Sequence, residues 1–246
     1  MRTWLLVGLL GCAGARVPPP TALPPTTPPT TPDVTEPVAS DPPPSEDTRL
    51  RVAFAAQANG DLTRAKELLV PLAEGATNPR VRDLAATRLR EILLIGTDAT
   101  PLDVDRWYTP KAPTLTDAPL TVLVFFESWC PHCQVELPML PALACRWEPR
   151  GAQVVLLTKR TRGVTDADVQ RDIVTHGLFG LAVGHEREGA MTTAYAVTGI
   201  PAAAVVKDGR VLWRGHPAEL DDVRMEQWIG AAPSEAPCAP ARAFGP

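Results

Sequence analysis

Two cysteines three residues apart, Cys130 and Cys133, are the residues of this sequence that most clearly suggest a chemical reaction. A short, apolar and uncharged run over residues 120–124 precedes them and predicts a buried strand. Residues 134–140 follow with the apolar spacing of a helix. The pair is therefore expected where a central strand passes into the first turn of a helix. Unpaired N–H groups and the helix dipole stabilise a thiolate at that position.

The spacing predicts a different role for each thiol. The thiolate is the reactive form of cysteine, and Cys130 is the outer of the two residues. Cys130 is therefore the predicted nucleophile. Cys133 lies one helical turn further in and is the predicted resolving thiol, which closes the disulfide. His132, between them, can donate a hydrogen bond or a positive charge to the Cys130 thiolate. Stabilising the reduced form in this way makes a cysteine pair a better oxidant.

A single Cys-X-X-Cys pair is also half of a zinc site. Zinc needs two more ligands at suitable spacing. The sequence has no second Cys-X-X-Cys, and its four histidines are scattered: His132, His176, His185 and His216. Copper delivery through the two thiols would call for Met or His ligands, which soft-metal sites recruit. We expect a redox pair, with no metal and no cofactor beyond the Cys130–Cys133 disulfide.

Residues 129–133, Trp-Cys-Pro-His-Cys, after an apolar strand, resemble the active site of the thioredoxin superfamily. The continuation over residues 133–138, Cys-Gln-Val-Glu-Leu-Pro, is similar to the TlpA/ResA-like branch of membrane-tethered periplasmic thioredoxins. The residues that carry the likeness around the cysteines are Trp129, Pro131, Glu136 and Pro138. The resemblance covers about residues 113–230 and implies an α/β, thioredoxin-like fold, in which helices flank a central mixed β-sheet.

A second family signature lies some seventy residues after the cysteines. Residues 199–201, Gly-Ile-Pro, precede two extended runs joined by an Asp208-Gly209 turn, which predicts a β-hairpin. In thioredoxins this proline is cis and packs against the active-site disulfide. The resemblance therefore implies that Pro201 lies beside Cys130 and that the backbone of Ile200 pairs with the substrate polypeptide. The alternative is an ordinary loop proline at the start of a strand.

The sequence departs from the family at one functional position. Thioredoxins carry a buried acid six residues before the first cysteine, where it assists proton removal from the resolving thiol. Here that position is Val124. Glu127 and Glu136 are candidates to take over the role. The interpretation that we favour for each is a surface or helix-start carboxylate.

Two parts of the resemblance imply opposite directions of electron flow. The Glu136 and Pro138 pattern implies a reductase that serves protein disulfide clients and is kept reduced by a membrane electron donor. Pro131-His132 is the pair found in DsbA-like oxidants and implies a weaker reductant, or an oxidase or isomerase. We expect a thiol–disulfide oxidoreductase and favour the reductase. An alternative of another class is a docking lipoprotein in which the thioredoxin fold is only a scaffold.

The N-terminus predicts export and membrane attachment. Residues 1–11 combine a basic start with an apolar run too short to span a bilayer, which is typical of a signal peptide. Residues 9–12, Leu-Leu-Gly-Cys, resemble the bacterial lipoprotein box, which implies lipidation of Cys12 and anchoring by several acyl chains. Ala13 after the cysteine favours the outer membrane, facing the periplasm, by analogy with enteric bacteria. The alternatives are an ordinary signal or a mispredicted start.

Composition divides the remaining chain. Residues 12–44 are rich in proline with Thr, Ser and Ala, so they cannot bury enough apolar surface to fold and form a tether. Residues 45–96 show helical spacing, and part of them resembles a tetratricopeptide hairpin. They form either a docking surface or, as we favour, a helical cap on the redox domain. The other predicted boundaries are a connector over 97–112, the thioredoxin-like domain over 113–232, and a tail over 233–246.

The net charge and the number of cysteines limit which binding partners and disulfides are expected. The net charge of −4 gives no reason to expect nucleic acid. With Cys12 lipidated, Cys145 and Cys238 remain besides the Cys-X-X-Cys pair. Because leftover thiols are often bridged in an oxidising compartment, a structural Cys145–Cys238 disulfide is predicted. The alternative is two unpaired cysteines.

Overall fold

The computed structural model of the chain describes residues 43–230. The predicted signal peptide, Cys12, nearly all of the proline-rich tether and the C-terminal tail with Cys238 lie outside the described residues. Contacts divide the chain into two units, Met1–Pro42 and Pro43–Pro246. In the described part of the second unit, no helix is long and apolar enough to cross a bilayer.

The segment predicted to be helical forms three helices, α1 (Glu46–Ala58), α2 (Leu62–Gly75) and α3 (Pro79–Leu94). Each begins at a side chain that accepts a hydrogen bond from a backbone N–H of the first turn: Ser45, Asp61 and Asn78. Leu and Ala side chains at helical spacing form a small core of their own, which includes Leu50, Ala53, Ala65, Leu69, Leu72, Ala85 and Ile92.

Six strands form one sheet in the order β1-β4-β3-β2-β5-β6. The strands are β1 (Val104–Trp107), β2 (Leu120–Phe125), β3 (Ala152–Thr158), β4 (Ala182–Glu186), β5 (Ala202–Lys207) and β6 (Arg210–Gly215). Strands β2, β3 and β4 run parallel, whereas β1, β5 and β6 pair antiparallel with their neighbours. The predicted central mixed sheet flanked by helices is confirmed.

Helices cover both faces of the sheet: α4 (Pro131–Glu136), α5 (Leu140–Trp147), α6 (Asp166–His176), α7 (Ala190–Ala194) and α8 (Asp222–Ile229). Strand β2 is buried along its whole length, and its alternate side chains serve two different cores. Val122 and Val124 pack with Cys130 and Cys133 on one face, and Leu123 packs on the other. Strand β2 therefore lies at the centre of the sheet and packs against the cysteine pair that follows it.

The helix after the cysteine pair is not continuous. A 3₁₀ turn, Leu137–Met139, separates α4 from α5, and Pro138 lies within it. Proline has no N–H to donate to the preceding turn, so the α-helical hydrogen-bond ladder is interrupted there. The predicted single helix over residues 134–140 is accordingly two helices.

The predicted connector over residues 97–112 contains a strand that the sequence analysis missed. Strand β1 pairs antiparallel with β4 at one edge of the sheet. Its four residues are too few to show a clear alternating pattern. Tertiary packing stabilises it, because Trp107 and Val104 lie directly over Gly184 of β4. At the opposite edge, Asp98 bridges Arg210 of β6, so residues before the predicted boundary at residue 113 also belong to the sheet.

We expect Gly184→Ala to lower the free energy of unfolding by about 1–3 kcal/mol, because it overpacks this contact. A Cβ atom there would lie 2.8 Å from Val104 Cγ1 and 3.0 Å from two ring carbons of Trp107. Denaturant unfolding followed by tryptophan fluorescence measures the change. Gly180→Ala is the matched control, because nothing lies within 4 Å of a Cβ at that position. Equal stability of the two variants would contradict this packing of β1 on β4.

Helix α3 contacts the redox domain through charged side chains. Arg214 of β6 is 1% exposed, and its Nη2 lies 3.8 Å from Oε1 of Glu91. Arg88 Nη2 lies 3.9 Å from Oε1 of Glu219. These contacts join α3 to β6 and to the segment after it, and the choice between a helical cap and a docking surface stays a prediction.

Candidate active site

The cysteine pair lies at the expected junction of strand and helix. Strand β2 ends at Phe125, and Cys130 is the residue that caps the N-terminus of α4, with Pro131 at its first position. The Cys130 side chain is 4% exposed and the Cys133 side chain is 0% exposed. Both are free thiols. Cys130 is therefore the more accessible of the two thiols, and Cys133 lies behind it.

The Ile200–Pro201 peptide bond is cis, as the resemblance implied. Pro201 is buried at the start of β5. The Cys130 Sγ lies 3.7 Å from the carbonyl oxygen of Ile200, in the geometry of a weak S–H donor to that oxygen. The loop before β5 thus brings the backbone of Ile200 against the predicted nucleophile, although the two are seventy residues apart.

Burial controls the protonation of the inner thiol. Loss of hydration raises the pKa of the Cys133 thiol well above its ordinary value. A hydrogen bond from the backbone of Glu127 opposes the increase, and the charge of the Glu127 carboxylate adds to it. The neutral thiol is consequently the favoured form of Cys133 at neutral pH.

Glu127 is 2% exposed, so the surface position that we favoured for it is wrong. Its Oε1 accepts a hydrogen bond from the Lys159 N–H at 3.2 Å, and its Oε2 accepts one from the Thr161 N–H at 2.9 Å. Burial raises the pKa of Glu127, and these two backbone donors counteract the increase. The carboxylate joins the cysteine motif to the loop between β3 and α6.

Glu136, the second candidate for the missing acid, lies partly exposed on α4. No hydrogen bond or ion pair joins its side chain to another of residues 43–230. Glu127 is therefore the carboxylate that the structure places near Cys133. The sequence identified Glu127 only as a candidate. Its side chain is directed inward by the turn after β2, and the sequence did not reveal that turn's geometry.

Trp129 is held by the same loop. Its Nε1 donates to Thr161 Oγ1 at 2.9 Å, and the guanidinium of Arg162 lies 3.6 Å from the centre of its ring. His132 is exposed on the first turn of α4. Within the described chain no hydrogen bond joins His132 to Cys130, so any support that it gives to the thiolate is through its charge.

A hydrogen-bonded group behind the motif was not anticipated. Gln134 Nε2 donates to the Ser128 carbonyl at 3.0 Å and to Asp172 Oδ1 at 3.2 Å. Its Oε1 lies 2.7 Å from Nε2 of His176. Gln134 therefore ties the turn before Cys130 to helix α6. The only signal in the sequence was its position directly after Cys133.

A cleft of about 520 Å³ opens beside Cys130. Its walls include Phe126, Trp129, His132, Lys159, Arg162 and Ile200. This volume accommodates a few side chains of a bound polypeptide, and half-buried Ile200 forms part of one wall.

Of the other sequence-predicted positions, Cys145 and Glu136 are described and do not line this cleft. No group of three or more His, Cys, Asp or Glu residues within residues 43–230 is arranged to hold a metal ion. Cys145, on α5, is disulfide-bonded. Cys238 lies outside the described residues, so the Cys145–Cys238 pairing stays a prediction, as does lipidation of Cys12.

Family models and curated proteins give no match to this chain. Solved structures do. The thioredoxin domain of a thiol-disulfide oxidoreductase from Bacteroides vulgatus is similar over 55% of this chain and 97% of its own, with 15% identity and a TM-score of 0.47. A thiol:disulfide interchange protein from Bacteroides sp. is similar over 56% and 91%, with 15% identity and a TM-score of 0.46.

A secreted disulfide oxidoreductase from Mycobacterium tuberculosis is similar over 46% of this chain and 82% of its own, with 21% identity and a TM-score of 0.37.

The chain's own topology identifies its fold. The mixed sheet has β2 at its centre, the cysteine pair begins the helix after β2, and the cis-proline begins β5 beside it. By these features the described chain has the fold of the thioredoxin superfamily.

Proposed function

We propose that this protein is a thiol–disulfide oxidoreductase that exchanges electrons with protein disulfides and dithiols through Cys130 and Cys133. The observation that carries the proposal is the position of the Cys130 sulfur. It lies at the N-terminus of α4, at the edge of a cleft and 3.7 Å from the Ile200 carbonyl, with Cys133 one turn behind it. Such a thiol can attack a disulfide held along the Ile200 backbone.

The reaction proceeds in two exchanges. The Cys130 thiolate attacks one sulfur of a client disulfide, forming a mixed disulfide and releasing the other client sulfur as a thiolate. Cys133 then loses its proton and attacks Cys130. The Cys130–Cys133 disulfide forms, and the second client sulfur leaves as a thiolate. Two electrons pass to the client, and each released thiolate takes up one proton.

The Glu136 and Pro138 pattern after Cys133 supports the reductase direction. Stabilising the reduced pair as a thiolate makes a protein a stronger oxidant. The Pro131-His132 dipeptide argues the other way, because a cation at His132 would stabilise the Cys130 thiolate. An oxidase or isomerase is therefore the second candidate function.

The cellular setting belongs to the same proposal. The lipoprotein-like sequence around Cys12 and the proline-rich tether support a periplasm-facing lipoprotein of the bacterial outer membrane. A reductase in that compartment needs a source of electrons, and we assign this role to a membrane electron donor. Its clients are proteins with accessible disulfides.

The reduction potential of the Cys130–Cys133 pair tests the proposal. Protein that begins at Pro43, the start of the second unit, is equilibrated with glutathione mixtures, and the oxidised fraction is measured by alkylation and mass spectrometry. A value near −270 mV, roughly that of thioredoxin, supports the reductase. A value of about −120 mV identifies an oxidant. A pair that does not exchange with glutathione at all would contradict both and leave the scaffold alternative.

A further inference from the structure

One wall of the cleft is a basic loop, residues 159–164, with the sequence Lys-Arg-Thr-Arg-Gly-Val. Arg160 and Arg162 adopt φ angles of 53° and 58°, which non-glycine residues rarely do. The loop keeps this shape because the Glu127 carboxylate accepts two of its backbone N–H groups and Trp129 donates to Thr161. The basic loop is therefore fixed against the cysteine motif.

The two cations that face the cleft have no ion-pair partner. Arg160 is engaged by Asp166. No ion pair or hydrogen bond to the side chains of Arg162 or Lys159 is formed within residues 43–230. The Arg162 guanidinium lies over the Trp129 ring, an arrangement that leaves its N–H edge available. A guanidinium held in this way is suited to bind a carboxylate through two parallel hydrogen bonds.

The acidic side chains in the cleft wall, Glu127 and Glu186, are buried and hydrogen-bonded within the protein. Both oxygens of Glu127 receive backbone N–H groups. Glu186 is 1% exposed and accepts hydrogen bonds from the backbone and the hydroxyl of Thr192. The remaining titratable lining residues with exposed side chains are His132, Lys159 and Arg162. A client in the cleft therefore meets a positive surface, in a chain whose net charge is −4.

Lys159 has a second environment. It also lines a neighbouring depression that contains Asp105 and Glu188. Asp105 is engaged by His185, at 2.6 Å, and Glu188 lies close enough to Arg187 to interact with its charge. Arg162 lines the cleft but not this depression, and its guanidinium lies over the face of Trp129. We therefore expect Arg162 to contribute more than Lys159.

We propose that the cleft selects client segments that carry Asp or Glu beside the reacting cysteine, and that Arg162, assisted by Lys159, binds their carboxylates. The inference rests on the proposed exchange at Cys130 and names the class of polypeptide that reaches it. The chemistry is unchanged: the Cys130–client mixed disulfide forms and is resolved by Cys133. Charge complementarity raises the rate of encounter and fixes the register of the segment.

The test uses two synthetic peptides, each with one intramolecular disulfide, that differ only in Asp or Lys on both sides of one cysteine. Fully reduced protein is mixed with each oxidised peptide, and the second-order rate constant is followed by stopped-flow tryptophan fluorescence. We expect the acidic peptide to react roughly tenfold faster in dilute buffer, and the ratio to fall towards one at about 0.5 M salt. Arg162→Gln should remove most of the preference, and Lys159→Glu/Arg162→Glu should reverse it.

A matched control carries the same change in net charge at a remote site. Lys66→Glu/Arg80→Glu lies on α2 and α3, and neither side chain forms an ion pair in the described chain. We expect this control to keep the preference of the unaltered protein. Equal rates for the two peptides with unaltered protein, or a preference that survives Lys159→Glu/Arg162→Glu, would overturn the inference. Exchange with neither peptide would instead reject the proposed function.

Discussion

Cys130→Ser should lower the rate of disulfide exchange by at least about a thousandfold, because the thiolate is the nucleophile and a serine hydroxyl cannot replace it. The structure leaves no substitute within reach. Cys133 is 0% exposed and its pKa is raised by burial, so it cannot meet a client disulfide directly. Reduction of insulin, followed by precipitation of the released chain, measures the loss.

Cys133→Ser is the matched variant and should behave differently. The first attack by Cys130 remains possible, but the mixed disulfide cannot be resolved, so the client stays covalently attached to Cys130. Non-reducing electrophoresis and peptide mapping detect this adduct. The roles assigned from burial would be reversed if Cys130→Ser formed the stable adduct and Cys133→Ser did not.

Arg214→Ala should lower the free energy of unfolding by about 3–5 kcal/mol, since it removes one member of a buried charged group. The Arg214 side chain is 1% exposed and donates to the carbonyl oxygens of Tyr195, Ala203 and Gly215. Its removal leaves these oxygens and the Glu91 carboxylate buried with fewer partners. Urea unfolding followed by circular dichroism gives the change.

Arg210→Ala is the control for this variant, because it removes the same charge from the same strand. The Arg210 side chain is 62% exposed and pairs with Asp98, which is 90% exposed. Surface pairs of this kind contribute up to about 1 kcal/mol. If Arg214→Ala destabilised the protein no more than Arg210→Ala, the buried group would not be what joins β6 to α3.

The position of Arg214 also concerns the site. The carbonyl oxygens that it holds belong to Tyr195, at the end of α7, and to Ala203, two residues after the cis-proline. These residues bracket the loop that presents Ile200 to Cys130. The Arg214 guanidinium is thus a support for one wall of the cleft as well as a contact with α3. Nothing in the sequence separated Arg214 from an ordinary solvent-facing strand residue.

Local patterns by themselves determined most of the architecture. The β2 run of apolar residues, the helical spacing over residues 45–96 and the Asp208-Gly209 turn are short-range signals, and each element formed at the expected place. The same is true of the cysteine pair at the start of α4, because strand, turn and helix are contiguous in sequence. The family signatures then implied the cis-proline at Pro201.

Only the tertiary structure decided what depends on distant partners. Strand β1 is too short to be detected alone and exists because β4 supplies its hydrogen bonds and Gly184 makes room for Trp107. Glu127 is buried because backbone N–H groups of the loop after β3 satisfy its carboxylate. The same loop brings Arg162 over Trp129. Burial and pairing of charge are set by residues far apart in the chain, so periodicity and local motifs carry no information about them.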